Sequence, residues 1–349
     1  MKKTPEGDRG KKSGTAPATA GSTGLPGFVD RFKGKKICVV GDIIADVFIF
    51  GKPYRLSREA PVVVVKYEGS KIYPGSAGNT INNLAALGAK VYPVGFVGED
   101  SIGGKLMDFF SAMKNIDTGG IIRHGGDTIT KTRILAGDTN VSKQQVIRID
   151  KDEGHRHTAK EKDLLMEKLA AICPRVDAVI VSDYGHGAVT GKVIEYMKVL
   201  ANDRIVVGDS RYSLKKYVGF TMITPNESEA YALAGLTEQD PIEDVGRKVL
   251  SAMHLKALLV TRGNRGMTLF LRNGKVHHIP ISGKDDVADV TGAGDTVCAA
   301  AALSLASGAD FLDASRIANY AAGIVVMKRG TATVTVPELK RSLENGGVI

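Results

Sequence analysis

Asp289-Val290-Thr291-Gly292-Ala293-Gly294-Asp295-Thr296 is the stretch on which the reading of this chain turns. Three small residues lead straight into Val297 to Ala306, an Ala-rich run with the composition of a buried helix. Small residues at a helix start let an anion approach the backbone, where free N–H groups and the helix dipole favour negative charge. A carboxylate at that place would repel a phosphate bound there for its own sake. It makes chemical sense if Asp295 takes a proton from a hydroxyl that attacks the phosphate. The alternative is an ordinary buried helix capped by Asp295, and the stretch alone does not choose between them.

Apolar runs ending in polar residues recur on either side of this motif. Ile37-Cys38-Val39-Val40 ends at Gly41-Asp42, Val179-Ile180-Val181 at Ser182-Asp183, and Ile205-Val206-Val207 at Gly208-Asp209. Leu258-Leu259-Val260 ends at Thr261-Arg262-Gly263, and the shorter Met222-Ile223 at Thr224-Pro225-Asn226. Such runs suit parallel strands buried on both faces. Helix-like segments alternate with them. Residues 160–172 carry a stripe of Leu164, Leu165, Lys168 and Leu169, and residues 78–88 put Ile81, Leu84 and Ala85 on one face. The alternation predicts an α/β fold with a mostly parallel sheet covered on both faces, which binds ligands at its strand C-terminal ends. Residues 46–74 and 121–150 break the pattern with strand-like runs such as Val62–Val65, Thr130–Leu135 and Gln145–Ile149. They predict a small β-lid. Leu269 to Val276 reads as a hairpin turning at Asn273-Gly274.

Composition narrows the function class. The 349 residues are 43% hydrophobic and include 41 Gly, as expected of a globular α/β enzyme with many tight turns. Net charge is +9, but residues 1–36 hold nine Lys/Arg against three Asp/Glu. The body is therefore close to balanced, which argues against a nucleic-acid partner. Residues 1–27 read as a disordered extension and 28–349 as one domain. No run is apolar for the roughly 18 residues a membrane span needs. Cys38, Cys173 and Cys298 show neither disulfide nor zinc spacing and fit reduced thiols in a cytoplasmic enzyme. A P-loop is absent, and so is Gly-x-Gly-x-x-Gly after the first strand, which disfavours dinucleotide oxidoreductases.

The motif around Asp295 resembles the C-terminal signature of the ribokinase, or phosphofructokinase-B-type, carbohydrate kinases. Pro74-Gly75-Ser76-Ala77-Gly78-Asn79 resembles their N-terminal sugar-binding signature. Thr224-Pro225-Asn226-Glu227-Ser228-Glu229 is similar to their Asn-x-x-Glu nucleotide and metal motif, and Thr261-Arg262-Gly263-Asn264-Arg265-Gly266 to a segment lining the nucleotide site. The four motifs occur in family order across about residues 35–340. Within the family, Arg55–Val62, Lys131–Leu135, Gln144–Asp150, Ser182-Asp183-Tyr184 and Gly330–Val334 resemble the D-glycero-β-D-manno-heptose 7-phosphate kinases. Departures from that group include Ser76, Gly185-His186 and Asp209-Ser210-Arg211, where Gly, Ala-Lys and Asp-Pro-Lys are usual. In many bacteria such kinases are fused to a nucleotidyltransferase domain. The chain ends at Ile349, so kinase activity alone is expected.

The resemblance implies a ribokinase-like three-layer sandwich and a cytoplasmic enzyme, and the apolar faces of the lid strands, such as Val62–Val65, predict a homodimer that buries them. It would use ATP and Mg²⁺, with K⁺ as a family option, on a small-molecule sugar phosphate that leads to ADP-heptose, a lipopolysaccharide precursor. It also implies roles. Asp295 would be the base, with Gly292, Ala293 and Gly294 offering N–H groups to the transferred phosphoryl group. Asn226, Glu227, Ser228, Glu229, Thr261, Arg262, Gly263, Gly266, Asn319 and Gly323 would serve the nucleotide, Glu229 reaching Mg²⁺ through water. Asp46, Gly75, Asn79, Lys131, Arg133, Arg148 and Asp183 would bind the sugar phosphate, and Asp289 and Thr291 lie where family members often hold a monovalent cation. Lys131 and Arg133 alternate on one strand and so share a face, which suits a phosphate but equally suits solvent. Asp183 and Asp209 could instead cap helices, and Asn319 could make a core contact. A kinase for another sugar, or a non-catalytic sensor on the same fold, are the competing readings.

Overall fold

The computed structural model describes residues 24–138, 143–152, 156–212, 214–282 and 288–346. Nine strands form the central sheet. They are β1 (Lys36–Gly41), β4 (Lys90–Gly98), β5 (Ile121–His124), β8 (Ala178–Asp183), β9 (Ile205–Ser210), β10 (Met222–Ile223), β11 (Ala257–Thr261), β12 (Met267–Leu271) and β13 (Val276–Ile279). Their spatial order is β13-β12-β11-β10-β9-β8-β1-β4-β5. From β11 to β5 every pairing is parallel; β12 and β13 add an antiparallel hairpin at the edge, turning at Asn273-Gly274 as expected. The four remaining strands, β2 (Ile43–Leu56), β3 (Val63–Ser76), β6 (Thr130–Ala136) and β7 (Gln144–Lys151), form a separate sheet in the order β3-β2-β6-β7. This is the lid. Ile121–His124, grouped with the lid in the sequence reading, instead pairs with β4 in the main sheet, because its register follows Gly95–Gly98.

Side-chain alternation along the strands divides the core in two. Ile37, Val39, Ile180 and Leu259 point to one face, and Cys38, Val40, Val179, Val181, Leu258 and Val260 to the other. The first face is covered by α1 (Leu25–Val29), α2 (Ala77–Ala86), α3 (Ser101–Ser111), α8 (Ala293–Ala306), α9 (Phe311–Val325) and α10 (Val336–Glu344). The second carries α4 (Ala159–Ile172), α5 (Gly191–Leu200), α6 (Glu227–Ala234) and α7 (Ile242–Met253). α4 begins with a capping box of Thr158 and Glu161 and buries Leu165 and Leu169, whereas Leu164 turns to solvent. α8 is buried nearly all round: Cys298 through Leu303 are inaccessible, and its Ala side chains let it lie close to α9 and α2. The expected disordered segment falls largely outside the described residues, but Leu25–Val29 is helical and seats Phe28 and Val29 in the core.

Candidate active site

The N-terminus of α8 and the C-terminal ends of β1, β8 and β9 meet beneath the lid. Gly292 precedes α8 with φ of 80°, a left-handed conformation natural to glycine, and a Cβ there would stand 2.3 Å from Asn79 Nδ2. Two donors hold Asp295 in the first turn. Asn79 Nδ2 donates to its Oδ2 at 2.8 Å and the Tyr184 hydroxyl to its Oδ1 at 2.8 Å. Asn79 is steadied by Asn83 Nδ2 at 3.1 Å, one helical turn on. Asp295 is only 5% exposed. Burial pushes its pKa up and Asp46 adds to this, while Asn79, Tyr184 and Lys131 oppose it; the balance is about 6. A carboxylate poised there is ionised at neutral pH yet basic enough to accept a proton.

On the lid side, Arg133 Nη1 donates to Asp46 Oδ1 at 2.5 Å, both side chains being largely buried. Gly75 is required beside them, since a Cβ would stand 2.4 Å from Asp46 Oδ2. Lys131 Nζ lies 5.1 Å from the centre of the Tyr184 ring. Burial lowers the Lys131 pKa and Arg148 and Arg211 add to this, against Asp46 and Asp150. Arg148 is paired with Asp150 at 2.5 and 2.7 Å. A cavity of about 920 Å³ under the lid is lined by Phe48, Tyr73, Arg133, Asp289, Thr291 and Gly330, among others. The Asp289 carboxylate accepts from the N–H groups of Thr291 (2.9 Å) and Gly330 (3.0 Å). Burial pushes its pKa up, but those contacts and Arg133 outweigh burial and hold it below the ordinary value.

A second cavity of about 520 Å³ opens at the ends of β9, β10 and β11. It is lined by Arg211, Tyr212, Asn226, Glu227, Ser228, Glu229, Thr261, Arg262 and Gly263. Asn226 and Glu229 cap α6 reciprocally, each side chain accepting from the other's backbone N–H at 2.9 Å. Burial raises the Glu229 pKa, with Asn226 and Arg211 opposing. Arg262 is committed to Glu227 at 2.9 Å, and Arg265 pairs with the same carboxylate. Arg211 has no carboxylate partner among the described residues, and its charge reaches both Glu229 and Lys131. The sequence motifs pointed to Arg262; the cation left for an anionic ligand at this mouth is Arg211. In the sequence Arg211 stands out only as part of Asp209-Ser210-Arg211, where the related heptose kinases usually have Asp-Pro-Lys.

Other predicted residues lie elsewhere or are already engaged. Asp183 accepts from Gly185 N–H (2.9 Å), Ser210 Oγ (3.1 Å) and Tyr217 Oη (3.0 Å), which ties the loop after β8 to β9. Asn319 donates to the Pro280 carbonyl at 2.9 Å, Gly323 packs on Ser282, and neither is among the described residues lining the second cavity. Gly266 follows a 3₁₀ turn, Gly263–Arg265, that closes the loop after β11. Among the described residues no cluster of three or more His, Cys, Asp or Glu could ligate a metal directly, and no helix is long and apolar enough to cross a membrane.

Comparison with known families matches residues 34–339 to the pfkB family carbohydrate kinases. The chain is 40% identical over 311 residues to the bifunctional protein HldE of Geobacter sulfurreducens, covering 87% of this chain and 62% of that one. It is 39% identical to HldE of Haemophilus influenzae, covering 90% of this chain and 64% of the relative. The chain thus spans less than two thirds of these relatives. Among solved structures, ribokinase from Thermotoga maritima aligns with a TM-score of 0.70 at 21% identity, covering 89% of this chain and all of that one. Phosphofructokinase-2 from Escherichia coli in complex with potassium aligns at 0.74 and 15%, covering 89% and 99%. At these identities the two structures speak for the fold: a ribokinase-like α/β sandwich with a small lid.

Proposed function

The chain belongs to the pfkB family of carbohydrate kinases, and from that premise we propose that it phosphorylates the anomeric hydroxyl of D-glycero-β-D-manno-heptose 7-phosphate to give the 1,7-bisphosphate. The observation that carries the reading is Asp295, a buried carboxylate with a raised pKa at the start of α8, facing lid residues Asp46 and Lys131. In this role Asp295 takes the proton of the attacking hydroxyl, and the N–H groups of Gly292 and Gly294 stabilise charge on the transferred group, the Ala293 N–H expected beside them being held by the Val290 carbonyl at 3.2 Å. ATP with Mg²⁺ supplies the phosphoryl group. The cavity beside α6 suits a nucleotide: it is open and polar, and holds Arg211 for the phosphates and Glu229 to orient water on the metal. Asp46 and Asn79 hold sugar hydroxyls, while Lys131 meets the sugar's own phosphate, joined by Arg133 and Arg148 as they exchange their Asp46 and Asp150 partners for it. Asp289 and Thr291, beneath the lid, suit a monovalent cation such as K⁺.

The lid leaves Tyr54, Leu56, Val62, Val63, Tyr67, Val146, Ile147 and Ile149 each at least half exposed. A second copy would bury them, so the enzyme is a homodimer through this face. A single monomeric mass by light scattering at micromolar concentration would refute that. The substrate is tested by ADP release over heptose 7-phosphate, free heptose, hexoses, pentoses and nucleosides. Turnover should be highest with the phosphorylated heptose. Preference for a free sugar would move the substrate to another class, and no turnover with any sugar would favour a non-catalytic sensor.

A further inference from the structure

Asp295 is gripped through both oxygens, by Asn79 on one and Tyr184 on the other. A carboxylate held in this way cannot rotate, and the direction of its remaining lone pairs is set. Asn79 stands in the motif associated with sugar binding. Tyr184 does not belong to that motif or to the nucleotide mouth.

The tyrosine is itself firmly placed. It follows β8 directly, in a loop that turns back over Asp42. Asp42 is 4% exposed and accepts from three alternate backbone donors: Tyr184 N–H at 2.8 Å, His186 N–H at 3.1 Å and Ala188 N–H at 3.1 Å. The loop is thereby clasped to the end of β1, and the Tyr184 ring is held between α8 and the lid, where Lys131 approaches its face. Burial and the negative charges of Asp295 and Asp209 push the phenol well above its ordinary pKa. It therefore stays protonated and can act only as the donor towards Asp295.

We propose that Tyr184 is the positioning residue of the base, fixing the Asp295 carboxylate so that its free lone pairs meet the acceptor hydroxyl, with Asp42 as the anchor of Tyr184. The proposal rests on Asp295 being the base. The groups facing that carboxylate are Asn79 from α2, Tyr184 from the loop after β8, Asp46 from β2, Lys131 from β6, Asp209 at the end of β9 and Cys298 on α8 itself. Of these, the hydroxyl of Tyr184 can be removed with one atom. Its loss takes away a donor that favours the ionised form, so Asp295 becomes harder to ionise.

The test follows the Asp295 carboxyl and turnover separately. In wild type and Tyr184→Phe, the ¹³C resonance of the Asp295 carboxyl, assigned with Asp295→Asn, is titrated, and turnover is measured from pH 5 to 8. The titration and the acid limb of turnover should both move up by about one pH unit. The activity ratio of wild type to variant should then be roughly tenfold larger at pH 5 than at pH 8. Asp42→Asn, which keeps the tyrosine but loosens its loop, should shift both in the same direction by less. An unmoved titration, or a loss of turnover equal at every pH, overturns the proposal. A titration that moves while the acid limb stays put upholds the grip of Tyr184 on Asp295 and overturns Asp295 as the base.

Discussion

Replacing Asp295 by Asn should abolish most turnover and at the same time stabilise the protein at neutral pH. Burial raises the carboxyl pKa from 3.8 to about 6, a difference of roughly 2.2 units. At about 1.4 kcal/mol per unit, the ionised carboxylate lowers the stability of the fold by about 3 kcal/mol above pH 6. The sign follows from linkage. The folded pKa lies above the unfolded one, so the penalty is absent below pH 4, grows as pH rises between the two values, and is complete above pH 6. An Asn carries no charge and escapes it, while its carbonyl oxygen still accepts from Asn79 and its amide can donate to the Tyr184 oxygen. About 3 kcal/mol is therefore the upper bound of the gain. Urea melts of wild type and Asp295→Asn at pH 4 and pH 8 check this, alongside kinase assays. The variant should gain on wild type between the two pH values, while turnover falls by ~10²–10⁴ at pH 8. Equal pH dependence of the two melts would show that Asp295 is not destabilised by its site, and wild-type turnover in the variant would remove it from the chemistry.

Lys131→Ala and Arg133→Ala should each reduce kcat/KM by tenfold or more for a phosphorylated sugar and far less for its free counterpart; equal losses on both would assign these cations to the fold. Arg211→Ala should raise the KM for ATP about tenfold. Arg262→Ala should chiefly lower stability by roughly 1–2 kcal/mol, because it breaks a part-buried pair with Glu227. Isothermal titration with an ATP analogue and thermal melts separate the two, and the reverse pattern would refute the assignment. Ser76 precedes α2 with φ of 53° and ψ of −125°, strained for a residue with a side chain. Ser76→Gly should therefore stabilise by about 1 kcal/mol in urea melts, and a comparable loss would contradict the strain.

The nature of the fold was legible because its signals are local. Ile37–Val40, Val179–Val181 and Leu258–Val260 are apolar on both faces, which only a covered parallel sheet tolerates, and the polar residues after them mark the binding edge. The Asp289–Thr296 run likewise carries its helix start and its carboxylate within eight residues. What these residues do to one another was settled by packing. Asn79 and Tyr184 reach Asp295 across 216 and 111 residues of chain, and Arg133 reaches Asp46 across 87. Strand order, which no single segment encodes, brings them together. The same holds for the raised pKa of Asp295, a property of the volume from which α8, β8 and the lid exclude water. Ile121–His124 reads as a strand in isolation, and only its register with β4 assigns it to the main sheet. Arg262 and Arg211 are alike in sequence. The first is ion-paired because α6 sets Glu227 against it, whereas the second acts on Glu229 only through space and forms no ion pair among the described residues.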